Sequence, residues 1–522
     1  MSEAETLLDA ANADYAAARY PQAADGYRRI IRLHPDVAAL HINLGAALRA
    51  AGDNVGAERA YRDALALEPD NALAWFNLGN LLGTLKRTED ALAAFRKADD
   101  LQPGTPEILN NLGVQLYGSG AIEDALSHYD KALATRPDFA DALTNRGNAL
   151  QRLGRMREAE AAIEQALEQV PGNAVYRLNK SAFLAAAGRH ADALAWADRA
   201  LAADPSYTEA ALKRASLLIQ QGDLKAGFAA YEARWEKPGW HRLTQQLTMP
   251  MWQGEDLAGK RLLVWNEQGF GDALLYARYL PLLAATGAVL TLMCETALIG
   301  LFRQSFRGIL RVVDLNDALP EADYHVPVMS LPYCMASRLE TIPATVPYLA
   351  ADRDALQNWR DETEKRARGR LKVGLVWAGN PGQSHDYTRS MAAETAASLL
   401  DHDDICFFNL LVGPRGDQLT DKRLIDVRTR LNDFAATAAL MQNLDLVISV
   451  DSAPAHLAGA LGVPVWIMLA FDPDSRFFLN TRTSPWYPSA TLYRQSEPGN
   501  WQGVVDNLKI GLDSLVQRKA KG

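Results

Sequence analysis

At roughly 150 residues per domain, a chain of 522 residues needs more than one core. Its content of 48% hydrophobic, 22% charged and 8% aromatic residues is that of an ordinary soluble protein, which excludes a disordered, collagen-like or fibrous chain. With 54 Lys and Arg against 63 Asp and Glu, the net charge is -9 and no basic run stands out, so nucleic acid is not expected as a partner.

The amino terminus, MSEAETLLDAANADY, is acidic where a secretory signal needs a basic region and then an apolar stretch, so a cytoplasmic location is expected. Cys294, Cys334 and Cys406 are widely spaced, which suits a reducing compartment and indicates neither a zinc knuckle nor a disulfide framework. The most apolar window, 274–293, contains Arg278, Pro281 and Gly287; it reads as a buried helix followed by a strand, not as a membrane span.

A 34-residue period organises the first half. Pro35, Pro69, Pro103, Pro137, Pro171 and Pro205 share it, as do the small residues Gly45, Gly79, Gly113 and Gly147 and Ala57, Ala91, Ala125, Ala159 and Ala193. Tyr27, Tyr61, Phe95, Tyr129 and Tyr231 hold the large position. The pattern resembles the tetratricopeptide repeat (TPR), with about seven units over 4–241 whose first and last members are irregular caps. Stacked helix pairs of this kind form a superhelix with a concave groove. Asn43, Asn77, Asn111, Asn145 and Asn179 repeat at the same interval until Lys213 breaks the series. A carboxamide both donates and accepts, so this column is either a ladder for the backbone of an extended acceptor peptide or a helix-packing consensus. The ladder resembles the TPR arm of nucleocytoplasmic O-linked N-acetylglucosamine transferase.

Residues 242–259 lack a helical or strand period and read as a connecting segment, beside which Trp235, Trp240 and Trp252 are expected to form a locking core. Beyond it come apolar strand runs at 261–265, 289–293, 309–315, 373–377, 406–413, 445–450 and 463–468, several alternating with helical patterns. Parallel sheets in two α/β lobes, 260–352 and 353–522, are the expected outcome.

Three loops carry chemistry. The sequence EQGFGD places Gly269, Gly271 and Asp272 between a strand and a helix, and Asp272 is there either as a helix cap or as a catalytic base. WAGNP brings Asn380 to a glycine-rich turn, followed by a polar run with His385 and Arg389. DSAPAHL sets Asp451, Ser452 and His456 at a strand end, with Pro454 in the first turn of a helix whose free N–H groups attract phosphate. The carboxylates around His402 are expected to start a strand, although a magnesium or manganese site would use the same groups. The run from Phe471 to Asp474 follows a strand end and is expected as a turn, with lining of the cleft as its alternative.

The pairing of the first and third of these loops resembles glycosyltransferase family nine, the group of the lipopolysaccharide heptosyltransferases, whose lobes make a GT-B fold. The resemblance covers about 260 to the end. It implies an α-helical TPR superhelix followed by an α/β GT-B domain with two Rossmann-like lobes. It puts Asp272 on the catalytic base, and Gly269, Gly271, Asn380, Asp451, Ser452 and His456 at the donor. Arg389 stands where a phosphate-binding Lys is usual, which changes the geometry and leaves the sugar open. The first lobe is short, which leaves acceptor contacts to the repeats. The whole chain resembles bacterial TPR-bearing protein glycosyltransferases, including those that modify flagellin. The expected function is therefore metal-independent, inverting transfer from a nucleotide sugar to Ser or Thr of a protein, flagellin favoured, without a cofactor. Two alternatives stand beside it: a TPR binding module or chaperone with an inactive catalytic domain, and an enzyme acting on a lipopolysaccharide-type glycan.

Overall fold

The computed structural model describes residues 3–237, 240–383 and 386–521. The chain divides into two compact units, 1–183 and 184–522.

In the first unit, consecutive helices pair as Glu3–Ala16 with Tyr20–Leu33, Ala38–Ala50 with Asn54–Leu67, Ala72–Thr84 with Thr88–Leu101, Pro106–Ser119 with Ile122–Thr135 and Ala140–Arg152 with Met156–Gln169. The periodic prolines fall two residues past each second helix, where a residue without an N–H cannot continue it. The periodic glycines have a packing cause. A Cβ at Gly45, Gly79 or Gly113 would stand 2.5, 2.8 or 2.5 Å from the ring of Tyr61, Phe95 or Tyr129. Each bare backbone thus seats the aromatic ring of its partner helix, and all three rings are buried. At Gly147 the side chain of Ile163 takes the place of the ring.

The second unit begins with the end of the repeats, including helices His190–Ala203, Thr208–Gln220 and the shortened Leu224–Tyr231. Among the described residues, ten strands follow. β1 (Arg261–Trp265), β2 (Val289–Cys294), β3 (Arg311–Asp314) and β4 (Tyr324–Pro327) form a sheet in the order β3-β2-β1-β4. β5 (Leu371–Val376), β6 (Ile405–Asn409), β7 (Leu424–Asp426), β8 (Leu446–Val450), β9 (Val465–Leu469) and β10 (Ala490–Arg494) form the other, in the order β10-β9-β8-β5-β6-β7. Every pairing between these strands is parallel. The strand order reverses beside β1 in the first sheet and between β5 and β8 in the second. At such switch points the loops leaving the carboxyl ends diverge and open a crevice. All three chemistry-bearing loops leave from those strands.

The connecting segment 242–259 is partly regular. It holds a 3-10 turn at Arg242–Gln245, and Met251 bridges to His325 at the edge of the first sheet. Trp235 packs with Leu243, Leu263, Trp265 and Met293 in a small separate core, while Trp252 joins the main one. The helix Arg353–Ala367, long and charged, buries Trp359 and lies against β5 and β6.

The seating of rings on glycines predicts opposite effects for two substitutions in one helix. Gly113→Ala drives a methyl into Tyr129 and should cost about 1–3 kcal/mol. Gly118 is exposed, with nothing within 4 Å of an added Cβ, so Gly118→Ala should stabilise by about 0.5–1 kcal/mol through helix propensity. Denaturant midpoints of the two variants read both effects.

Candidate functional site

The loop after β1 is built from buried polar groups. Asn266 donates to the Gln268 carbonyl at 2.8 Å and to both Glu295 oxygens at 2.9 Å. The fully buried Glu267 carboxylate pairs at 2.9 Å with Arg234, itself fully buried and also held by Glu232 and by the Ser330 hydroxyl. Gln268 donates to the Tyr231 hydroxyl at 2.6 Å. With the loop fixed, Gly269 becomes the N-cap of helix Phe270–Tyr276 and Asp272 lies in its first turn. Gly271 serves close approach: a Cβ there would lie 3.1 Å from His456 Cδ2 and 3.8 Å from Ala453 Cα, so the bare backbone lets this helix meet the one that DSAPAHL opens.

In the second lobe, Ser452 N-caps helix Ala453–Ala460 and its hydroxyl lies 3.0 Å from that of Ser449. His456 is buried, with Nδ1 3.0 Å from the Tyr487 hydroxyl, Nε2 3.8 Å from Asp451 and its ring stacked on Phe477. Burial, together with the nearby Arg476, lowers its pKa to about 3. Burial thus favours the neutral imidazole, which can hydrogen-bond a donor without adding charge to it. Burial and the charge of Asp474 push Asp451 up to about 6, against the pull of Arg476 and Arg389.

Past β9 lies the residue that joins the lobes. Arg476 forks onto Asp474 at 2.6 and 2.9 Å and forms an ion pair with Asp272. Burial raises the pKa of Asp272 even so, with Arg476 working against it. Burial opposes ionisation of Asp474 as well, but there the Arg476 fork wins and lowers the pKa. Asp272, Asp451, His456, Asp474, Arg476 and Arg389 thus lie within one another's electrostatic reach.

The loop after β5 is less central. Asn380 is exposed, and its carboxamide oxygen closes a turn on the Gly382 N–H at 2.9 Å. Arg389 pairs at 3.2 Å with Asp386, a buried carboxylate that also binds Arg415. His385 lies outside the described residues. The group around His402 does precede a strand, β6, and Asp401 pairs with Arg423.

Sequence reasoning missed Arg476, and it met Asp474 only within a run expected as a turn, with lining of the cleft as the alternative. The available signal was their place, since FDPDSR follows the apolar run of β9, and β9 neighbours β8 at the same sheet end. A cavity of about 410 Å³ opens beside Asp272, walled also by Gln268, Gly269, Tyr276, Asp474 and Arg476. A larger hollow of about 770 Å³ touches Arg261, Val289 and Arg311, where β1, β2 and β3 begin. That is the amino-terminal side of the sheet, away from the crevice.

Three family models match parts of the chain. Residues 8–62, 47–106 and 144–208 match the tetratricopeptide repeat, 115–154 the TPR repeat, and 424–500 glycosyltransferase family 9 (heptosyltransferase). The chain is 26% identical over 327 residues to Protein FlbA of Caulobacter vibrioides, covering 57% of this chain and 54% of that protein, so it spans about half the length of that relative. Among solved structures, a tetratricopeptide repeat protein from Parabacteroides merdae has 18% identity, covers 47% of this chain and 96% of its own, and gives a TM-score of 0.41. A thermophilic TPR protein of Thermus thermophilus has 26% identity, covers 35% and 100%, and gives 0.32.

The His456 environment predicts a pH effect with a definite sign. Below pH 6.5 the unfolded imidazole takes a proton that the folded one refuses until about pH 3, so stability falls on acidification. Between pH 7 and 4.5 this amounts to about 2–3 kcal/mol, at about 1.4 kcal/mol per pH unit. Asp451 acts oppositely, because its raised folded pKa adds stability as pH falls through 6. His456→Gln should therefore lose about 2–3 kcal/mol less than wild type over that interval in urea unfolding.

Proposed function

We propose that this chain, tetratricopeptide repeats followed by a family 9 glycosyltransferase domain, is an inverting enzyme that moves a sugar from a nucleotide donor to Ser or Thr of a protein held by the repeats. Flagellin is the favoured acceptor. The observation that carries the reading is Asp272, a carboxylate of raised pKa, mostly withdrawn from water at the first lobe's crevice and ion-paired to Arg476 of the second. A raised pKa makes a carboxylate a stronger base toward an acceptor hydroxyl.

The acceptor oxygen bonds to the anomeric carbon on the face opposite the nucleotide. The carbon–oxygen bond to phosphate breaks, its electron pair leaves with the nucleotide, and the hydroxyl proton passes to Asp272. Arg389, Arg476 and the N–H groups of the helix that Ser452 caps supply charge to the leaving group, with neutral His456 offering a hydrogen bond. None of these steps calls for a metal ion or a cofactor. Among the described residues no helix is long and apolar enough to cross a membrane, and we propose a cytoplasmic location.

The asparagine column divides by environment. Asn111 donates to the Asn80 carboxamide at 2.7 Å and accepts from Asn110 at 3.2 Å, while Asn145 donates to Asn110 at 2.9 Å. Asn43, Asn77 and Asn179 have no side-chain hydrogen bond among the described residues and are the better candidates for an acceptor backbone.

Two experiments test these roles. Asp272→Asn should keep nucleotide affinity, measured calorimetrically with a panel of nucleoside mono- and diphosphates, and lower turnover roughly a hundredfold or more. Near-normal transfer by a folded variant removes Asp272 from the mechanism, and a wild type that binds no nucleotide favours the binding-module alternative. Replacing Asn43, Asn77 and Asn179 together with Ala should weaken acceptor binding about tenfold to a hundredfold, at about 1 kcal/mol per hydrogen bond, with the melting temperature kept. The Asn111 and Asn145 pair should instead lower the melting temperature.

A further inference from the structure

Of the groups proposed for the donor, Gly269 and Arg476 line the cavity of about 410 Å³ beside Asp272, whereas Arg389, Asp451, Ser452 and His456 do not. Met329, Gln383 and Ser475 add to the wall, and its other side is the last helical hairpin. Ser216 and Ile219 come from Thr208–Gln220, and Phe228 and Tyr231 from Leu224–Tyr231, three residues apart in each helix and so on one face of each.

The hairpin is tied to both lobes. Tyr231 accepts from Gln268 at 2.6 Å, and Phe228 meets the ring of Tyr276 edge-on at 6.3 Å in the first lobe. Gln220 donates to the Asp472 carboxylate at 2.8 Å and to the Pro473 carbonyl at 3.2 Å, immediately before Asp474. A hairpin that merely capped a repeat array would turn a polar outer face to water. This one buries Ile219 and Phe228 to 5% and 2% exposure against the catalytic domain.

We propose that the last hairpin is the acceptor-side wall of the catalytic cavity, with Ser216 where the hydroxyl-bearing residue of the acceptor enters. This rests on the glycosyl-transfer reading above. By the 34-residue interval Lys213 holds the position of the repeating asparagines, and Ser216 lies one helical turn beyond it. The wall chemistry defines the acceptor. Asp272 and Asp474 repel an acidic side chain, while Ile219 and Phe228 favour a short neutral one, which selects Ser or Thr among small residues.

The test uses the full chain, flagellin purified from source cells lacking the gene, and the small-molecule extract of the same cells as donor supply. Intact mass reports transfer, and calorimetry with nucleoside diphosphates reports the donor side. Ser216→Trp, which fills the cavity, should slow modification at least tenfold while nucleotide affinity stays within threefold. If the tryptophan variant melts early, Ser216→Gln, smaller and compatible with the helix, carries the same expectation. Modification at the wild-type rate by a folded Ser216→Trp overturns the proposal alone, as does loss of nucleotide binding together with transfer, which would make this wall part of the donor site. A wild type inert in both assays overturns the glycosyl-transfer reading and this proposal with it.

Discussion

A carboxylate taken out of water needs a cation to go with it, and Asp272 and Arg476 meet that need from different lobes. Asp272 takes its cation from the other lobe, where the same guanidinium also holds Asp474. Asp272 sits at the end of β1 in the first sheet, and Arg476 sits beyond β9 in the second, already forked onto Asp474. The pair is satisfied only when the carboxyl ends of both sheets face one crevice. The glycine at 271 follows from the same demand, since a side chain there would hold the two helix starts apart.

The loop that presents Asp272 is rigid for a second reason. Glu267 and Gln268 hold none of their position by backbone ladder bonds; Arg234 and Tyr231 fix them instead, and both belong to the end of the repeats. Arg234 is sandwiched over the rings of Tyr231 and Trp235, which removes it from water while leaving its charge to Glu267 and Glu232. The final repeat is thereby structural material of the α/β domain, and the compact units divide before it, at residue 183, not at the edge of the repeat pattern.

Much of this was legible in the sequence where one physical demand dominated. The 34-residue period marks the hairpins because Gly45, Gly79 and Gly113 each seat one ring, and β1 reads directly from its apolar run. β4, β7 and β10 escaped because YHVP, LID and ATLYR are short, mixed segments, with β7 and β10 at the sheet's edges, where one side of the strand has no neighbour to demand an apolar pattern. At the site, Asp272, Asp451 and His456 were found as motif members. The neutrality of His456 was not, because it depends on Tyr487, Phe477 and Arg476, all distant in sequence. Arg476 was hidden for a related reason: its partner Asp272 lies 204 residues away. Nor does a column of asparagines disclose that two of its members spend their amides on neighbouring repeats.

The contact between Gln220 and Asp472 spans 252 residues, and this has a consequence during synthesis. Helical hairpins form from neighbours along the chain and fold as they emerge, whereas the parallel sheets wait for strands far apart in sequence. The ribosome completes the last hairpin about 260 residues before it reaches the end of β10, a stretch that at roughly 5–20 residues per second takes about a quarter of a minute to a minute. Throughout that interval Ile219, Leu224 and Phe228 have no core to enter. The nascent arm is thus sticky at one end until translation is finished, and a chain released early would carry that exposed face into solution as a seed for aggregation.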